Sequence, residues 1–216
     1  MEQYQYDFIE FIIQENALRF GEFTLKSGRK SPYFFNIGHL CSGKALATLG
    51  QFYALSLNSS QITYDVLFGP AYKGIPLAVA TSMQLAEQYQ KDIPYSFDRK
   101  ETKTHGEGGM IVGSPLAQKQ VMIIDDVITA GTQKRLAIEF VTQNKGSVSG
   151  VSIALDRQEK AENSELSSVQ LLAQSCNIPV ISIVNLDNVI SYLQQSNQDK
   201  TYVDALITYQ EKYGIK

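Results

Sequence analysis

Residues 121–132, VMIIDDVITAGT, set an apolar run against two acids and a loop of small residues that opens a helix. Val121, Met122, Ile123 and Ile124 form the short continuous apolar run of a strand buried on both faces of a parallel sheet. Asp125 and Asp126 then stand at its C-terminal tip, where open α/β sheets bind ligands. Carboxylates cannot grip phosphate, so these acids suit sugar hydroxyls or a hydrated magnesium ion. Thr129, Ala130, Gly131 and Thr132 carry little bulk, so successive N–H groups can close around a phosphate at the positive end of the helix. Acids beside a phosphate cradle describe a ribose phosphate. A strand ending in two acids also occurs in receiver domains and metal-dependent hydrolases, and the TAGT continuation separates the readings.

Three further segments could carry chemistry, each with a plainer alternative. GPAYKGIP, residues 69–76, offers backbone N–H groups and the Lys73 ammonium to a pyrophosphate, or is an ordinary Gly/Pro turn with a solvated lysine. DRKETKTHGEGG, residues 98–109, gathers Arg99, Lys100, Lys103 and His105 on a strand end and a glycine-rich loop. Such a loop can close over a polyanion and neutralise a leaving group, although charge runs are usually solvated surface. LDRQEK, residues 155–160, sets Arg157 just past a strand tip, where a guanidinium can hold a carboxylate by two hydrogen bonds or merely form an ion pair.

FTLKSGRKSPYFFN, residues 23–36, adds Lys26, Arg29 and the aromatic pair Phe34 and Phe35. The phenylalanines suit a flat aromatic pocket and equally the core of a hairpin. Lys26 can contact an anionic base or a pyrophosphate.

These segments need a frame. The chain has 216 residues, 44% of them hydrophobic, enough for one well-buried core and no requirement for a second domain. Its formal charge of -3 argues against general binding to nucleic acid or anionic membranes, so any positive site is local. Cys41 and Cys176 show no metal or disulfide spacing, and His39 and His105 are the only histidines, so a metal, if used, is oxygen-bound. The N-terminal MEQYQYDFIEFII lacks a basic signal-like start and no apolar run reaches membrane-spanning length, so a cytoplasmic setting is expected.

From Tyr64 onward, short apolar runs alternate with amphipathic stretches, the pattern of βα units on a parallel sheet. Strands are predicted over 65–69, 94–100, 121–126, 148–156 and 178–186, five in all. Pro76 suits the first turn of a helix through Met83 and Leu85, and Leu136 and Phe140 are predicted to share a face with Ala137 and Val141. A helix containing Phe8, Phe11, Ile12 and Ile13 precedes a predicted hairpin, together a small subdomain over the sheet drawn mainly from residues 1–40. Residues 101–113, with four glycines and no periodicity, read as a mobile loop.

Residues 121–132 resemble the 5-phosphoribosyl 1-diphosphate (PRPP) signature of type I phosphoribosyltransferases across the whole window. Residues 98–109 resemble the catalytic loop, and residues 23–36 the hood, of bacterial-type orotate phosphoribosyltransferases; Arg157 matches the arginine that binds the base there. The match departs at Lys160 and Ala161, where close relatives are expected to carry Arg-Gly.

The resemblance implies an α/β type I phosphoribosyltransferase fold, a mostly parallel five-stranded sheet flanked by helices, in one domain with an N-terminal hood. It implies transfer of phosphoribose from PRPP to orotate, giving orotidine 5′-monophosphate and pyrophosphate in pyrimidine biosynthesis. Asp125 and Asp126 would hold the ribose hydroxyls. Thr129, Ala130, Gly131 and Thr132 would surround the 5-phosphate, Val127, Ile128 and Gln133 would also bind PRPP, and Tyr72 and Lys73 would meet the pyrophosphate. Magnesium would be held mainly through PRPP and water, with no direct protein ligand.

Lys26, Phe34, Phe35, Thr129 and Arg157 would surround orotate. Arg99, Lys103 and His105 would act on pyrophosphate partly across a homodimer with shared sites, and Lys100 from the same chain. No nucleic acid or membrane is implied as a partner. A phosphoribosyltransferase for another base and a non-catalytic PRPP-sensing regulator are the competing readings; a regulator should bring a basic, nucleic-acid-binding extension.

Overall fold

In the computed structural model, Val121 to Ile124 are fully buried at the middle of a sheet, as their unbroken apolarity requires. The structure describes residues 1–25, 28–103, 109–129, 131–196 and 200–215, with backbone only at 102 and 103. The chain opens with helix α1 (Gln3–Gln14), strands β1 (Leu18–Thr24) and β2 (Lys30–Phe35), a 3-10 turn (Ile37–His39) and helix α2 (Gly43–Ser59). Next come β3 (Val66–Phe68), α3 (Gly74–Tyr89), β4 (Tyr95–Lys103), β5 (Gly109–Gly113), β6 (Gln120–Asp125) and α4 (Thr132–Gln143). Then follow β7 (Ser147–Asp156), α5 (Ser168–Cys176), β8 (Val180–Asn185), α6 (Leu186–Gln195) and α7 (Lys200–Tyr213).

The main sheet runs β5-β4-β3-β6-β7-β8, and its five predicted strands pair in parallel. After β3 the chain builds outward to β4 and β5, then returns to lay β6 on the other side of β3. The tips of β3 and β6 therefore flank the switch point, where such sheets open a crevice for ligands. Alternation along β6 feeds two cores. Met122 and Ile124 join the cluster under α1, α2, α3, α6 and α7, while Val121 and Ile123 pack toward α4 and α5.

Two expectations change. Residues 101–113 are not a loop throughout: β4 continues to Lys103, and Gly109–Gly113 forms a sixth strand, antiparallel to β4. Its glycines bound the strand, and at Gly113 (φ +94) a Cβ would lie 2.3 Å from the Tyr95 carbonyl oxygen. Leu136 is 51% exposed, because α4 buries the stripe Lys134, Ala137 and Val141 instead. Helix α7 packs on β2, with Tyr209 edge-on to Tyr33 and Tyr202 beside Phe20.

Candidate active site

The two acids sit where β6 ends. The Tyr53 hydroxyl donates to the Asp125 carbonyl at 2.8 Å and pins the strand tip; burial pushes the Tyr53 hydroxyl pKa well up, so it stays a donor. Asp125 Oδ1 accepts the Asp126 N–H at 2.9 Å, and Oδ2 accepts from the Lys134 ammonium. Burial raises the Asp125 pKa, and the adjacent Lys134 charge opposes that rise. Asp126 Oδ1 accepts the Val127 N–H at 2.8 Å, and Oδ2 takes Lys73 Nζ at 3.0 Å.

Beyond the acids, Gly131 caps α4 in the left-handed region (φ +76), turning the chain so that Thr132 begins the helix. Thr129, Gly131, Thr132 and Gln133 line a cavity at this helix N-terminus. Val127 and Ile128 line it too, with the Ile128 side chain buried beneath. Ala130 lies outside the described residues.

The neighbouring wall is the turn after β3. A Cβ on Gly69 would lie 2.1 Å from the Gly74 carbonyl oxygen, so only glycine permits this turn. The Ala71–Tyr72 peptide is cis. The Ala71 N–H donates to Asp98 Oδ1 at 2.6 Å, tying the turn to β4. Tyr72 projects from it, 72% exposed, with Lys100 Nζ 5.9 Å from its ring centre. Lys73 Nζ also donates to Asn36 Oδ1 at 3.3 Å, which connects the turn to the hood.

The far wall joins the tip of β7 to the hood. Arg157 Nε donates to Glu159 Oε1 at 2.7 Å, and its guanidinium lies 4.6 Å over the Tyr33 ring. Nη2 lies 2.5 Å from the same oxygen, so the guanidinium and the Glu159 carboxylate form an ion pair. Burial would lower the Arg157 pKa, yet Tyr33 and Glu159 outweigh it and keep the group charged. Tyr209 donates to Glu159 Oε1 at 2.9 Å. Phe35 is buried in the core; Phe34 stacks on Phe23 at 5.5 Å, and both Phe34 and Phe35 also line the cavity.

One cavity of about 1610 Å³ reaches from the α4 N-terminus past Asp125, Asp126, Tyr72 and Lys73 to Arg157. Lys100 also lines it. Arg99 is not among the residues that line it. Lys26 and His105, and the side chain of Lys103, lie outside the described residues.

Lys134, Asn36, Asp98 and Glu159 line this cavity without having been singled out in the sequence. Lys134 alone left a readable signal: a cation in the first turn of a helix opposes the macrodipole and calls for an acidic partner.

A family model described as the phosphoribosyl transferase domain matches residues 38–181. The orotate phosphoribosyltransferases of Pseudoalteromonas translucida and Pseudomonas syringae pv. tomato are 53% and 54% identical over 215 residues, spanning 100% of both chains in each pairing. The crystal structure of orotate phosphoribosyltransferase from Francisella tularensis superposes with a TM-score of 0.88 at 45% identity, covering 96% of this chain and 99% of that one. An adenine phosphoribosyltransferase from Leishmania donovani shares the fold alone, with a TM-score of 0.56 at 15% identity, covering 84% of this chain and 80% of that one.

Proposed function

Because the chain belongs to the orotate phosphoribosyltransferase family, we propose that this cavity transfers phosphoribose from PRPP to orotate. The products are orotidine 5′-monophosphate and pyrophosphate, a step of pyrimidine biosynthesis. The observation that carries the reading is the opening of two carboxylates, a helix N-terminus, Lys73 and Arg157 onto one cavity. The first two elements fit a ribose phosphate, and the guanidinium fits the carboxylate of orotate.

Asp125 and Asp126 hold the ribose hydroxyls, and the backbone of residues 127–133 the 5-phosphate. Tyr72 and Lys73 meet the pyrophosphate, Lys73 leaving Asp126 to do so. Phe34, Phe35, Thr129 and Arg157 surround the base, with Lys26 contributed from the hood. As the C1–oxygen bond breaks, its electron pair leaves with pyrophosphate and C1 gains oxocarbenium character; the orotate ring nitrogen then bonds to C1. No general base is needed, since orotate supplies an ionisable ring nitrogen, so catalysis rests on neutralising the leaving group.

Magnesium fits this donor set only indirectly. Each oxygen of Asp125 and Asp126 accepts one hydrogen bond and keeps a further lone pair that a ribose hydroxyl or a magnesium-bound water could use. Magnesium would be held mainly through PRPP and water beside Asp125 and Asp126, and would supply charge neutralisation to the leaving pyrophosphate.

Arg99, Lys103 and His105 serve the leaving group in a homodimer whose sites are shared. Arg99 does not line the cavity of its own chain, which supports that arrangement. The enzyme works in the cytoplasm, which its two free thiols, Cys41 and Cys176, suit.

Loss of orotate's ultraviolet absorbance with PRPP and magnesium tests the function. Turnover is expected with orotate, and none with adenine, hypoxanthine or uracil. Turnover with one of those bases and not with orotate would replace the proposed acceptor.

A further inference from the structure

Asp125 and Lys134 are the two buried charged side chains among the described residues, 8% and 6% exposed. They meet as an ion pair at the tip of β6, and both border the cavity. Burying a pair of charges gains little stability over an apolar pair of the same volume, because desolvation consumes most of the attraction. Lys134 also stands in the first turn of α4, where the helix dipole disfavours a cation. Stability and local preference therefore both argue against a lysine here, and what it does must lie in the site.

The neighbouring acid shows the contrast. Asp126 is paired with Lys73, whose side chain is 54% exposed and can leave, whereas the side chain of Lys134 is 7% exposed and enclosed with its partner. Asp125 has its other oxygen committed to the Asp126 N–H at 2.9 Å, so the ammonium completes the fixing of the carboxylate plane. We propose that Lys134 is a positioning residue for the donor substrate, holding the Asp125 carboxylate in the orientation that receives the ribose hydroxyls. This rests on the reading that Asp125 binds ribose.

The device divides labour between two lysines. Lys73 is released to the leaving group when PRPP arrives, and Lys134 stays, so one acid remains charge-compensated throughout the reaction. Without Lys134, the buried carboxylate loses both its partner and the reason to stay turned toward the sugar.

The test is a double-mutant cycle read in initial rates, on full-length protein whose folding is checked by circular dichroism. Lys134→Met is expected to lower kcat/KM for PRPP about 10- to 100-fold, the span of one charge-assisted hydrogen bond, with KM for orotate within about twofold of wild type. In an Asp125→Asn background the same change should cost less than about threefold more, and Lys134→Arg should recover most of the loss. A merely structural lysine would not confine its effect to PRPP.

Additive losses would overturn the proposal, because Lys134 would then act on PRPP independently of Asp125. So would a full effect in Lys134→Arg. If Lys134→Met does not fold, the neutral pair Asp125→Asn with Lys134→Met, compared with Asp125→Asn alone, gives the decisive leg. Unchanged PRPP kinetics in Asp125→Asn would sink the ribose reading itself. Impairment there with none in Lys134→Met would sink only the positioning role.

Discussion

The two ends of the cavity are built in different ways. The donor end is backbone: the Gly69–Gly74 turn and the Gly131 cap place N–H groups and two acids within a few residues of neighbouring strand tips. The acceptor end is side chains, drawn from the β1–β2 hairpin, the tip of β7 and helix α7, with Glu159 joining Arg157, Tyr209 and, at 3.9 Å, Arg29. The hairpin and α7 also lie outside the residues 38–181 that match the shared family model, whereas the donor end lies wholly inside them. On the proposed reading, the matched domain holds the phosphoribosyl donor and supplies Arg157 and Glu159 to the acceptor end, to which the hairpin and α7 add further side chains.

Each end can be disturbed alone. The largest effect is expected from Lys103→Ala, which should lower kcat by about two to three orders of magnitude while leaving KM for both substrates near wild type. Mixing that chain with one carrying Asp125→Asn and Asp126→Asn should restore activity in hybrid dimers. Absence of recovery, with subunit exchange verified, would return the loop to its own chain.

Gly69→Ala should act next, and only at the donor end, because its Cβ would meet the Gly74 carbonyl oxygen at 2.1 Å with no side chain able to yield. A loss of about 2–4 kcal/mol in denaturant unfolding and a raised KM for PRPP are expected. An unperturbed PRPP KM in a folded variant would show that the turn tolerates rebuilding.

The smallest effect is at Asp156, beside Arg157. Burial raises its pKa, only partly offset by the N–H of Gln158 at 2.8 Å. A carboxyl with a raised folded-state pKa is most favourable below its unfolded pKa, and that advantage is lost as pH rises through the folded value. Asp156→Asn should therefore raise Tm slightly at neutral pH, and the gain should vanish in acid. A gain that grows in acid would reverse the sign.

How much of this was legible follows the same division. The donor end could be read because its residues are contiguous: an apolar strand, two acids and small residues must fall on one strand tip. All five strands predicted from apolar runs pair as parallel neighbours. Strand β5 escaped because its glycines suggest a loop, yet they sit at the strand's ends. Glu159 and Tyr209 escaped because they meet 50 residues apart in sequence, through a hydrogen bond that no local pattern announces. Leu136 was misread because α4 spends a buried position on Lys134, which apolar periodicity alone cannot foresee.

The claim that the ends are separate is tested most directly by initial rates of Arg157→Lys with orotate and PRPP varied in turn. Lysine keeps the charge and loses the two-pronged fork. KM for orotate should rise about 10- to 100-fold while KM for PRPP stays within about twofold, as expected of one lost charged hydrogen bond. An unchanged orotate KM, or an equal rise in both, would contradict the account.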